Sequence, residues 1–196
     1  MKKQSVLFVV IGVLIGVILM GVAAVSLVNN QNLGMRQSRG IGSNVDRNFI
    51  EQMIPHHEGA IEMAKQAQQK SNRSEIKTLA GNIITSQADE ISKMQSWYKQ
   101  WYAQDVPEGA DSNRMGSMMH NNWDAESLNE ATDFDKAFLE QMIPHHQMAV
   151  MMATMLKNGT DRQEMKTLAG DIIATQSKEI AMMQDWQIEW KYVTSE

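Results

Sequence analysis

The chain has 196 residues, no cysteine, 17 methionines and a formal net charge of −5 from 18 basic and 23 acidic side chains. That length suits one domain with appendages, and the acidic balance argues against nucleic-acid binding, which needs a basic footprint. The lack of cysteine excludes disulfides, thiolate metal ligands and lipidation at cysteine, so any soft ligand must be methionine.

The first element in chain order is apolar. Residues 6–28 carry no charge, follow Lys2 and Lys3, and are long enough to cross the hydrocarbon core as a helix. Residues 1–28 therefore read as an uncleaved transmembrane anchor. Ala23-Ala24-Val25-Ser26 is a passable cleavage site, so a removed signal segment is the alternative. Lys2 and Lys3 favour a cytoplasmic N-terminus against Arg36 and Arg39 on the other side. The expectation is a single-pass protein of the cell membrane with its body outside the cytoplasm, or a secreted or periplasmic one after cleavage. Residues 29–45, rich in Gly, Ser, Asn and Gln, read as a flexible tether.

Beyond the tether the chain repeats itself. Met-Ile-Pro-His-His occurs at Met53–His57 and again at Met142–His146, 89 residues later. At the same offset Lys77-Thr-Leu-Ala-Gly matches Lys166-Thr-Leu-Ala-Gly, and Trp97 and Trp101 match Trp186 and Trp190. Such a duplication fixes architecture. The repeats run over 46–101 and 135–196, joined by a Met-containing linker over 102–134 that reads as a loop with a short helical turn.

Each repeat reads as a helical hairpin. Asp46 and Asp135 are candidate N-caps. Breaks fall near Lys70–Ser74 and Asn158–Asp161, where Gly159 suits a C-cap and Ser71 and Thr160 suit the next start. Pro55 and Pro144 lie inside the first helix of each hairpin and predict a kink. On the second helices, Ile83, Gln87, Glu90, Met94, Trp97 and Trp101 are spaced 4, 3, 4, 3 and 4, and Ile172 to Trp190 repeat the seam. Gly81 and Gly170 predict close helix–helix approach. Two hairpins with apolar stripes predict an all-α fold, one four-helix bundle with pseudo-twofold symmetry.

The candidate chemistry lies on these stripes. Met53, His56, Ala60 and Met63 share one helix face, with His57 beside it. Met142, His145, Ala149 and Met152, with His146, repeat the arrangement. Opposite them stand Glu90 and Met94, and Glu179 and Met183. A methionine stripe alone is ordinary core packing, and a lone interior histidine is ordinarily a hydrogen-bonded one. Gln87, Glu90 and His56 in positions where a plain bundle uses Leu change that reading. Burying them without partners costs roughly 2 kcal/mol or more each. His–Glu hydrogen bonds or a metal would meet the demand. Thioether favours Cu(I), and imidazole also suits Cu(II) and Zn. The metal set is thus His56, His57, Met53, Met63, Glu90 and Met94, with His145, His146, Met142, Met152, Glu179 and Met183. A second set is the flexible patch Met115, Met118, Met119 and His120, together with Met148. Met151 and Met155 are further thioethers that the first repeat lacks. No Glu stands three residues before a His, so the Glu-x-x-His signature of di-iron bundles is missing. No nucleophilic triad or phosphate loop emerges either.

At Met-Ile-Pro-His-His, at Ala60-Ile-Glu-Met-Ala64 with Ala149-Val-Met-Met-Ala153, and at Gln87–Met94 with Gln176–Met183, the chain resembles the domain of unknown function 305 family. The resemblance covers both repeats. It implies a ferritin-like helical bundle, usually exported, with copper-binding members. The expected function is extracytoplasmic copper buffering, trafficking or resistance, with a copper ion as cofactor, Cu(I) ahead of Cu(II). The membrane and a copper-exchange protein are the expected partners. The rivals are a metal-dependent oxidoreductase on such a bundle and a metal-free structural or adaptor bundle.

Overall fold

The computed structural model describes residues 44–107 and 125–193. The apolar segment 6–28, most of the tether and the Met115–His120 patch lie outside the described residues. Among the described residues there are four long helices, one short helix and no strand. Helix α1 covers 44–70, α2 Ser74–Tyr102, α3 Ala125–Glu130, α4 Phe134–Gly159 and α5 Gln163–Glu189. No described helix is long and apolar enough to cross a membrane.

The ends of the helices differ from the sequence expectation in an informative way. Asp133, not Asp135, caps α4, its carboxylate accepting from the Lys136 amide at 3.1 Å. Asp135 lies inside the first turn of α4, and Asp46 inside the first turn of α1. Gly159 is the last residue of α4, and the extended Thr160 terminates it. Ser71 and Thr160 do not cap α2 and α5. Their hydroxyls instead accept from the amides of Arg73 and Arg162 at 3.1 and 3.0 Å, which tightens each three-residue connection. Helices α1 and α4 continue through Pro55 and Pro144. Of the two interior glycines, a Cβ on Gly81 would meet the Gln68 side chain at 3.1 Å, a close approach. One on Gly170 would meet only Lys157 at 3.8 Å, an ordinary contact.

The displaced aspartates have another task. Arg162, between α4 and α5, reaches Asp46 of α1 at 3.1 Å and lies over the Trp101 ring of α2 at 3.9 Å. Its counterpart Arg73, between α1 and α2, reaches Asp135 of α4 at 3.7 Å and covers Trp190 at 3.9 Å. Each hairpin's turn is thereby pinned to the open end of the other hairpin. Trp101 stacks on Trp97 at 5.8 Å and Trp190 on Trp186 at 5.3 Å, extending each platform one turn along its helix.

All four long helices contribute to the core, which divides into two apolar clusters. One gathers Phe49, Met53, Met94, Tyr98, Met152 and Met165. The other gathers Met63, Ile76, Leu128, Phe138, Met142 and Met183. Along α1 the first cluster ends at Ile54 and the second begins at Ala60. On α4 the order reverses, from Ile143 to Ala149. Between the clusters, at mid-bundle, every long helix contributes polar side chains.

Candidate metal centre

The polar layer contains His56, His57, Gln87, Glu90, His145, His146, Gln176 and Glu179, the histidines falling in the gap between clusters on α1 and α4. Antiparallel packing of each hairpin sets its partners. His57 and His146 are fully buried, and their Nε2 atoms meet Glu90 at 2.7 Å and Glu179 at 2.8 Å. In a neutral imidazole bonded this way Nε2 carries the hydrogen and donates it to the carboxylate, leaving a lone pair on Nδ1. The Nδ1 atoms of both rings are buried and have no protein hydrogen-bond partner, as do Oε1 of Gln87 and of Gln176.

His56 and His145 meet across the pseudo-twofold axis. Their ring centroids lie 3.7 Å apart with the planes tilted by 40°. His56 is part-exposed, whereas His145 retains 3% exposure. Each sits over its neighbour, at 6.4 Å from His56 to His57 and 6.3 Å from His145 to His146. Four imidazoles therefore run across the bundle with a carboxylate at each end. Burial, and then the neighbouring rings of His56, His146 and His57, hold His145 well below the usual histidine pKa of 6.5. A neutral ring at neutral pH is the form that can donate to a metal.

The methionines divide by cluster rather than by hairpin alone. Met53 is four residues before His57, and Met94 four after Glu90, so each lies one helical turn away on the same face. Both are fully buried in the first cluster, where α4 adds Met152. Met142, Met183 and Met63 form the counterpart beside His146 and Glu179. The stripe assigned Met63 to the first hairpin's donors and Met152 to the second's, but each crosses to the other hairpin's cluster. Met148 packs part-buried on the first cluster. Met115, Met118, Met119 and His120 lie outside the described residues.

The stripe places His56 and His145 inward, where the two rings meet, and the carboxylate partners go to the adjacent His57 and His146. The duplication makes either spacing equal in both repeats, 33 residues for His57–Glu90 and His146–Glu179 and 34 from His56 and His145, so the sequence offers no signal that selects the pair. Among the described residues no group of three or more His, Asp or Glu side chains converges to hold a metal. A copper ion fits what is present through mixed donors: an interior imidazole nitrogen with an open lone pair, a carboxylate behind it that orients the ring, and neighbouring thioethers.

The profile of the domain of unknown function DUF305 matches residues 46–187. CopM in its Cu(I)-bound form is 48% identical, with a TM-score of 0.67, over 74% of this chain and 96% of that one. CopM in its Cu(II)-bound form is 47% identical, with a TM-score of 0.65, over 74% and 98%. Uncharacterized protein L153 of Acanthamoeba polyphaga mimivirus is 47% identical over 49 residues, 25% of this chain. The chain spans only 32% of the length of that viral relative.

Proposed function

From the premise that this chain belongs to the DUF305 family, we propose that it is a copper-binding protein of the space outside the cytoplasm, serving to buffer or pass on Cu(I) and also able to hold Cu(II). The observation that carries this reading is the duplicated His–Glu pair. Each pair leaves a buried Nδ1 open beside a thioether cluster. The CopM structures bound to Cu(I) and Cu(II) support it. The apolar segment 6–28, as an anchor or a removed signal, supports the location.

On this reading His57, Met53 and Met94 hold one ion, and His146, Met142 and Met183 the other. His56 and His145 stand between them, and Met152 and Met63 belong to the same two apolar clusters. Glu90 and Glu179 accept the Nε2 hydrogen, which fixes the tautomer and raises the basicity of Nδ1. Copper supplies a soft Lewis acid, and the protein supplies a buried, ferritin-like interior of donors that keeps the ion from other ligands. Binding requires neutral imidazole, so affinity falls on acidification.

The test is titration of the metal-free chain with Cu(I) against a competing chelator. Replacing His56, His57, His145 and His146 together should abolish binding at the interior sites. An affinity unchanged by that replacement would remove the histidine layer from the account.

A further inference from the structure

The two hairpins differ most on the outer face of their first helices. A cavity of about 250 Å³ lies between the start of α1, at Val45 and Phe49, and the second half of α4, at Met151, Met152, Met155 and Leu156. Asn48 and Gln52 complete its lining, so no titratable side chain faces it. Its three thioethers grade from solvent to core. Met155 is 63% exposed, Met151 45% and Met152 9%. Met152 also belongs to the cluster that contains Met53 and Met94. The thioethers thus run from the surface into the apolar cluster that holds the donors beside His57.

The other hairpin has no such path. At the 89-residue offset Glu62 and Gln66 replace Met151 and Met155. The equivalent groove is occupied by α3. Leu128 is fully buried with Met63, Ala67 and Phe138. Gln141, the counterpart of Gln52, donates to the Ser127 hydroxyl at 3.1 Å, and Lys70 donates to the Asn129 carbonyl at 2.7 Å. Among the described residues nothing covers the methionine groove. Two methionines largely exposed at i and i+4 on one face are poorly explained by packing, since neither is buried by it.

We infer that Met151, Met152 and Met155 form a capture site for a soft monovalent cation, Cu(I), which passes through Met152 to the interior donors of the first hairpin. The transfer is ligand exchange between thioethers, so no electron or proton moves. Thioethers do not titrate, which makes capture independent of pH while interior binding is not. The inference rests on the copper reading above, but its residues are separate from the histidine layer.

The experiment uses the full metal-free chain with methyl-labelled methionine and Ag(I) as a redox-inert probe, followed by NMR. The methyl signals of Met151, Met152 and Met155 should shift at the first additions of Ag(I), to the same extent at acidic and neutral pH. The double variant Met151→Leu with Met155→Leu should bind one ion fewer, while the His57 and His146 ring signals still respond. Leu keeps the volume and helix propensity, so the fold should stand. If that variant proves unstable, the wild-type titration decides alone. Unmoved Met151 and Met155 methyls while interior signals shift would overturn the capture site. Silent imidazole rings with shifted Met151 and Met155 would instead overturn the interior reading.

Discussion

The first and second hairpins share one interior and differ at one groove. At mid-bundle they are near copies, with the same His–Glu distance to within 0.1 Å, from 2.7 to 2.8 Å. On the flank, one hairpin carries Glu62 and Gln66 beside a docked helix, and the other carries Met151 and Met155 around an open cavity. Buried polar groups couple tightly to their partners, so a change at one position leaves another unsatisfied. A solvent-facing rim carries no such constraint and can take a different task in each copy. Under the proposed function, internal symmetry describes the layer that holds the ion and asymmetry the route by which it arrives.

Removing one carboxylate at a time separates the two ends of the imidazole row. Glu90→Gln and Glu179→Gln each keep the shape but weaken the hold on Nε2. Loss of such an orienting partner lowers metal affinity by about 10- to 100-fold. Two equal losses in a Cu(I) competition titration would confirm that the two ends of the imidazole row are equivalent. A loss confined to one variant would mean that only one end binds. A smaller effect should follow from Leu128→Ala, which empties the pocket that α3 fills. A buried Leu→Ala replacement costs about 2 kcal/mol or more. Undocking of a six-residue helix sets the ceiling, so a value near 2 kcal/mol is expected from urea unfolding. The variant should also convert the covered groove into an exposed one, seen as faster amide exchange in α3.

Much of this organisation is legible in the amino-acid sequence. The apolar stripes at helical spacing give four helices, because each stripe must be buried. The doubled motif gives two like hairpins, and the all-helical fold and the family follow from it. Phase within a helix is harder to read. Adjacent histidines differ by about 100° in direction. Which of them faces the partner helix depends on the antiparallel register that a three-residue connection imposes, and the seam at Met53, Ala60 and Met63 points to His56 rather than His57. Contacts between hairpins are less legible still. Nothing local ties Arg73 to Trp190 or Leu128 to Met63, since these pairings exist only once the two hairpins have docked. The same distance in sequence explains why Asp46 and Asp135 read as caps. An aspartate near a helix start suits the N-terminal dipole whether it caps or reaches outward.

The two Arg pins differ in burial and in distance. Asp46 is buried to 1% exposure and lies 3.1 Å from Arg162, while Asp135 side-chain exposure is 13% and its gap to Arg73 is 3.7 Å. Burial raises the Asp46 pKa, opposed by Thr160 and Arg162. Arg162→Ala should therefore cost about 2 kcal/mol by stranding a buried carboxylate and baring Trp101. Arg73→Ala should cost under about 1 kcal/mol, as expected for a more exposed pair. Equal losses in chemical unfolding would show that the tryptophan platforms, rather than the carboxylates, dominate.

The smallest effect concerns a single proton. In the metal-free fold His145 titrates well below 6.5, its ordinary value in the unfolded chain. Between those two pKa values the unfolded chain binds more protons than the folded one, so stability rises with pH there. His145 therefore contributes fully above pH 6.5, and its contribution is lost as the solution is acidified through that value toward the folded pKa. His145→Leu removes the titration and should flatten the unfolding free energy of the metal-free chain on the acidic side of pH 6.5. The same slope in the variant would place the proton uptake elsewhere in the imidazole row. A flattened slope would mark His145, on the α4 side of the stacked pair, as the ring that burial keeps neutral at neutral pH.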